Sequence, residues 1–382
     1  MAELPSSAEC VIVGGGVVGC SLAYHLARAG MRPLLLERGD FGAGSTARAA
    51  GGVRQQFTTE VNVRVGMLSR QLLEQFEDEV GSTADLRQIG YLFVASDAEQ
   101  MAQFERNVVM QHAAGLDDVR VVSASEVSEL VPDLNVADLI GGTFCPTDGL
   151  AGPNEVTSGY VSAARRLGAH VVEDVAVETI ESDPRGACAV VAAGSRISTR
   201  MVVNCAGPHA GVVGAMAGID VPVKPFRRHV FITESFSLAR DPPFTVDMRT
   251  SFYFHPEGEG LMLGMSDPAE PSSFDTNVDW TFLEHLVEHA TERLPALERA
   301  AIKTGWAGLY EVSPDNQAIV GESQLPGFWL CCGFSGHGFM QAPAVGLLLA
   351  QQITGVGAQI DLSPFSPERF ARGETTPETA VI

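Results

Sequence analysis

Gly14, Gly16 and Gly19 stand in the run CVIVGGGVVG at the spacing G-x-G-x-x-G, directly after the apolar stretch Cys10 to Val13. Glycines at that spacing cradle a dinucleotide pyrophosphate. Gly14 permits a tight turn, Gly16 lets backbone approach a phosphate without a Cβ, and Gly19 lets the next helix pack closely on the strand. The amides at that helix start, Val17 and Val18 among them, face the anion. A second apolar run, PLLLERG, ends in Glu37, at about the spacing where an acid meets a ribose hydroxyl. A glycine-rich turn in an ordinary α/β protein is the alternative, and the amphipathic stretch SLAYHLARAG between the two strands argues against it.

These residues require a parallel sheet to carry them, and the chain supplies further pieces of one. A helix over Glu155 to Leu167 leads through Gly168 into a strand from His170 to Val177, and MVVNCAG (Met201 to Gly207) reads as another strand. FWLCCGFSGHGFMQAPAVG gives strand, glycine loop and helix again. Residues 76–140 and 221–304 differ in character, with helices beside alternating strands such as HVFITES, FYFHP and GLMLGM. The expected fold is α/β with an α+β second domain. A Rossmann-like dinucleotide domain (1–75, 141–220 and 305–382) is interrupted by a mixed, largely antiparallel substrate domain (76–140 and 221–304). The pocket is expected where the two meet. A polar tail from about Pro364 is expected to fray.

The 382 residues are 45% hydrophobic, enough for two domains around a large buried interior. Seven cysteines, an odd number without a C-x-x-C pair, sit mostly in apolar segments, so neither disulfides nor a metal site is expected; Cys331 and Cys332 read as buried strand. MAELPSSAE has no Lys or Arg ahead of the apolar run, and no apolar stretch approaches the roughly 18 residues of a membrane span, so the chain reads as cytoplasmic. The formal net charge is −22, which repels nucleic acid and anionic bilayers. An acidic ligand therefore needs a local arginine.

Taken together, VIVGGGVVG, LLLERG, GAGSTARAAGGVR, DGLAGPNEV, VVNCAGPHA, GLYEVSPDNQAIVG and GFSGHGFMQAPAVG, in that order, resemble the D-amino-acid-oxidase-like flavoproteins. The branch is that of glycine oxidase, sarcosine oxidase, dimethylglycine dehydrogenase and dye-linked proline dehydrogenase. The resemblance implies FAD. Glu37 would then take the adenosine ribose with Arg38 beside the adenine. Gly44, Ser45 and Thr46, followed by Arg48 and the small run Ala49, Ala50, Gly51 and Gly52, would approach the pyrophosphate and flavin. The Val175 main chain would meet the adenine, and Cys205 to Gly207 would cover the nucleotide half. In the loop Gly336, His337, Gly338, Phe339 and Met340, a helix starting near Met340 would aim its positive end at the pyrimidine edge, where reduced flavin is anionic. His337 reads either as a proton-transfer group or as a plain loop histidine.

The same resemblance implies oxidation of the C–N bond in an N-substituted glycine or other secondary amino acid, with hydride passing to flavin N5 and the imine then hydrolysing. Arg54 matches the family's carboxylate anchor, its alternative being a surface ion pair. Tyr253 and Tyr310 match pocket tyrosines, or are core aromatics; the catalytic candidates are Tyr310 and His337. Arg48 faces either flavin or pocket. Some relatives tether flavin through a cysteine where Gly308 stands here, so the FAD is expected to be non-covalent. Lysines of sarcosine oxidase fall at Met262 and Met340, which makes the pocket read as apolar and the substrate as bulkier and greasier than sarcosine. The expected partners are a small amine or amino-acid substrate and either dioxygen or an electron-acceptor protein. The alternatives are a dehydrogenase subunit passing electrons to a partner, and a non-catalytic FAD-binding assembly factor.

Overall fold

A computed structural model describes residues 4–381. Strand β1 (Val11–Val13), helix α1 (Val17–Arg28) and strand β2 (Leu34–Leu36) form the expected strand, turn, helix, strand unit. All six strand residues are buried, because a parallel sheet is covered on both faces. The sheet runs Ile319–Glu322, Phe328–Cys332, Val202–Asn204, β1, β2, His170–Val172, with every pair parallel except the first. Helix α1 packs on the helix Pro153–Arg166 and on the helix Gly338–Thr354, while the helix Glu60–Glu74 packs on the latter. The expected strand from His170 stops at Val172. Asp174 adopts a left-handed φ of 58°, and Val177–Asp183 joins a separate three-stranded sheet.

The second sheet has eight strands, and its order is Ile302–Val312, Lys224–Thr233, Gly260–Met265, Tyr253–Glu257, Phe244–Asp247, Tyr91–Ala95, Gly141–Cys145, Arg120–Ser123. Segments 141–145 and 305–312 therefore pair here, although they were expected in the dinucleotide domain. Their partners, Tyr91–Ala95 and Lys224–Thr233, are distant in sequence, so no local signal carries the assignment. One face holds Leu92, Phe231, Phe254 and Leu263 against the helix Trp280–Arg293. The other face looks toward the first sheet.

The tail departs most from expectation. Arg369 is buried and donates to both Asp315 oxygens at 2.8 Å, and Glu378 is 0% exposed. The polar tail is a folded strap, held because its charges find partners inside.

Candidate functional site

Between the sheets lies a cavity of about 670 Å³. Its first end is the glycine turn. Gly14 has φ of 109°, and a Cβ there would stand 2.4 Å from the Cys205 carbonyl oxygen, so the two loops touch only because Gly14 has no side chain. A Cβ on Gly19 would meet the Gly14 carbonyl at 2.0 Å; Gly19 thus packs behind the wall rather than on it. No side chain caps the start of α1, although Val17 N donates to Thr46 Oγ1 at 3.1 Å. The amides that follow lack intrahelical partners and suit an anion. The Glu37 carboxylate is fixed by Gly15 N (2.7 Å) and Gly39 N (2.9 Å), and it lines the cavity as an acceptor for hydroxyls. Arg38 lies 3.2 Å from His209 Nε2, and Phe274 stacks on His209 at 4.5 Å. That aromatic pair stands on the same wall; His209 lies in the motif VVNCAGPHA, but nothing in the sequence brings the distant Phe274 onto it.

At the far end, helix α2 (Gly338–Thr354) starts without a side-chain cap, so the amides of Gly338, Phe339 and Met340 face the cavity free of intrahelical partners. Gly336 before it has φ of 94°, and a Cβ there would stand 2.4 Å from the Tyr310 ring. Ser45, Arg48, Ala50, Gly51, Gly52, Val175, Gly207 and Gly308 also line the wall. A Cβ at Gly308 would stand 2.9 Å from Arg48 Cβ. Two uncapped helix starts, a hydroxyl acceptor and bare glycine turns along one crevice fit FAD.

Arg54 is 1% exposed and lies on the cavity wall between the rings of Phe57 and Phe93, at 4.3 and 5.4 Å. Its guanidinium donates to the Gln56 carbonyl (2.5 Å), to His337 Nε2 (2.9 Å) and to the Ala380 carbonyl of the strap. All three acceptors are neutral. Arg54 is therefore a cation without a bonded counter-ion, which excludes the surface ion pair. Because guanidinium only donates, His337 Nε2 must be the acceptor, so the imidazole is neutral. Burial, and then the Arg54 charge, hold His337 well below the usual histidine range. His337 Nε2 is thus taken up by Arg54 and is not free to accept a proton, while the ring's own proton sits on Nδ1.

Asp148 interacts electrostatically with Arg54 and is fully buried, accepting from the Gln55 amide (2.9 Å) and the Gln55 and Gln56 side chains (2.8 and 3.1 Å); burial pushes its carboxyl up to about 6. Glu311, also on the wall, accepts from Gly333 N at 2.9 Å, and burial pushes it up to about 7. Tyr91, Phe244 and Tyr253 form the aromatic side of the cavity, with Tyr91 and Phe244 stacked at 4.2 Å. Burial raises the hydroxyls of Tyr91, Tyr253 and Tyr310, which stay protonated.

Met262 is a correction. It sits on the cavity-facing side of its strand, but Val230, Ile232, Ala50 and Trp306 cover it, and His255 Nε2 lies 3.1 Å from its sulfur. The neighbouring strand of the same sheet carries Arg228 onto the wall, and of the two methionines only Met340 lines the cavity. Asp148, Glu311 and Arg228 were not singled out from sequence; the first two lie within the motifs DGLAGPNEV and GLYEVSPDNQAIVG, but an acid in a motif carries no signal of its own burial.

A family model described as "FAD dependent oxidoreductase" matches residues 9–352. The chain is 33% identical over 386 residues to mitochondrial sarcosine dehydrogenase of Mus musculus, covering 96% of this chain and 42% of that protein. It is 30% identical over 400 residues to mitochondrial dimethylglycine dehydrogenase of Rattus norvegicus, covering 99% and 46%. The chain thus spans less than half the length of these relatives. Among solved structures, L-proline dehydrogenase from P. horikoshii superposes with a TM-score of 0.92 at 32% identity, over 98% of this chain and 100% of that one.

Proposed function

The chain belongs to the FAD dependent oxidoreductase family and binds FAD, and from that premise we propose that it oxidises the C–N bond of a secondary amine bearing a carboxylate, such as an N-substituted glycine or a cyclic amino acid. When bound, FAD supplies the two-electron acceptor. Glu37 would hold the adenosine ribose, the α1 amides the pyrophosphate, and the α2 amides the reducible end of the ring. The FAD is non-covalent in this reading: Gly308 offers no nucleophile, and the wall thiol Cys205 is buried and held protonated.

The buried guanidinium of Arg54 carries the proposal, because its charge has no bonded counter-ion and attracts a carboxylate inside a low-dielectric cavity. Its positive charge also disfavours the ammonium form of a bound amine, leaving the nitrogen lone pair free. Tyr253 and Tyr310 hydroxyls, kept neutral by burial, orient the amine and carboxylate without removing a proton. The phenyl rings of Phe57 and Phe93 exclude water around the anchor. No side-chain base is needed, since His337 is committed to Arg54.

No helix of the described residues is long and apolar enough to cross a membrane, and cytoplasmic placement remains part of the reading. Whether the acceptor is dioxygen or a partner protein is open to the same experiment that tests the function. FAD-loaded protein is mixed without air with proline, sarcosine, longer N-alkylglycines and primary amino acids, and the oxidised flavin absorbance is followed. Bleaching by a secondary amino acid supports the reading, and persistence of colour with every amine overturns it. Admitting air then reports on oxygen by the speed at which colour returns.

A further inference from the structure

The strand Lys224–Thr233 carries two successive arginines, and strand alternation sends them to opposite faces. Arg227 turns away from the cavity and is paired: its Nε lies 3.1 Å from Glu270 and its Nη1 2.9 Å from Asp275. Arg228 turns onto the cavity wall and is not paired. Its Nη1 reaches only the Arg227 carbonyl, at 2.9 Å, and its Nε is buried with no hydrogen-bond partner. Its guanidinium lies over the Tyr310 ring, 5.2 Å from the centroid. The same ring abuts Gly336, the residue before the His337 that bonds Arg54. Arg54 and Arg228 both act electrostatically on Tyr310, and Arg228 also acts on Tyr253. The substrate end therefore holds two guanidiniums around one tyrosine, neither bonded to a carboxylate among the described residues.

A buried donor without an acceptor costs stability, and a second uncompensated cation costs more. Such a pair is tolerated where a ligand brings the missing charge. We propose that the site takes a secondary amine bearing two carboxylates, one on Arg54 and the second on Arg228, an iminodicarboxylate rather than a simple N-alkyl amino acid. This deepens the amine-oxidation reading and rests on it.

The test separates binding from turnover by using thioethers, which have no amine to oxidise. FAD-loaded protein is titrated with thiodiacetate (two carboxylates) and with methylthioacetate (one), and the flavin absorption change gives each dissociation constant. Wild-type protein is expected to favour thiodiacetate by on the order of tenfold or more, as a buried charge contact implies. Arg228→Met should bring that ratio toward one, and Arg228→Lys, which keeps the charge, should retain most of it. A wild-type ratio near one overturns the proposal, as does a ratio that survives Arg228→Met. So does an Arg228→Met protein that releases FAD on gel filtration, since Arg228 would then serve the cofactor. If monocarboxylate secondary amines bleach the flavin while the ratio is near one, only this inference fails. If no secondary amine bleaches it, the parent reading fails as well.

Discussion

Glu378 fastens the strap that reaches Arg54, and replacing it with alanine should release that strap. Its carboxylate accepts from Thr58 N at 3.0 and 3.1 Å, Thr58 Oγ1 at 2.6 Å, Asn62 Nδ2 at 2.9 Å and Ala380 N at 3.0 Å. Hydrogen bonds to a charged group are each worth roughly 1.5 to 3 kcal/mol net. Water replaces some of these on opening, and burying a carboxylate without a bonded cation has its own cost of several kcal/mol. We therefore expect about 3 kcal/mol lost from the strap alone, or on the order of a hundredfold in its opening equilibrium. Amide hydrogen exchange reads this directly at three residues whose partners are known. Glu378 N donates to Asp315 O (3.0 Å), Thr379 N to Thr58 Oγ1 (3.1 Å) and Ala380 N to Glu378 itself. In Glu378→Ala their exchange should accelerate by about that hundredfold while the β1 and β2 amides hold, because the strap opens locally. Unchanged exchange at all three would refute the reasoning and return the tail to a passive role.

Gly336→Ala should weaken FAD retention on gel filtration, because the new Cβ sits at a left-handed φ costing about 1 kcal/mol or more and strikes the Tyr310 ring; an FAD dissociation constant within twofold of wild type would count against it. Arg54→Met, measured on FAD-loaded protein, should weaken methylthioacetate by roughly 30-fold or more, as loss of a buried charge partner costs about 2 kcal/mol or more; equal affinity would remove Arg54 as the anchor. Asp148 titrates at about 6 in the fold against a usual 3.8. A raised acid contributes stability that is fully present below its unfolded value and lost as pH rises through its folded value. Unfolding free energy should therefore fall by roughly 3 kcal/mol from this group between about pH 4 and pH 6. Chemical denaturation across that range should show a flatter profile in Asp148→Asn, and an unchanged slope would exclude Asp148 as the source.

Where a local backbone demand writes the site, the sequence was enough to find it. Gly14 must accept φ of 109° against Cys205, and Gly336 must accept 94° against Tyr310; glycine spacing announced the first end of the cavity, and the family resemblance pointed to the second. Glu37 followed because its position is fixed by counting from the turn. What sequence did not reveal depends on pairings between distant segments. Segments 141–145 and 305–312 were assigned to the dinucleotide domain, because only pairing with Tyr91–Ala95 and Lys224–Thr233 puts them in the other sheet. The burial of Glu378 needs Thr58 and Asn62, some 320 and 316 residues away, and nothing in a polar tail signals them.

The polarity of the substrate end turns on a single strand's parity. Arg228 pairs with Gly308 and Val230 with Trp306, while Met262 faces Ile232 one row deeper. Sliding Lys224–Thr233 by one residue would put Arg227 and Phe231 on the cavity and carry Arg228 to the acids that now hold Arg227. The register is held from both sides: Gly308 leaves room for Arg48, and Glu270 and Asp275 capture the outward arginine. The outer ion pairs of Arg227 thus fix which neighbouring arginine is left without one inside. Met262 stays off the cavity for the same reason, since a residue's chemistry reaches a ligand only through the row and face on which pairing puts it.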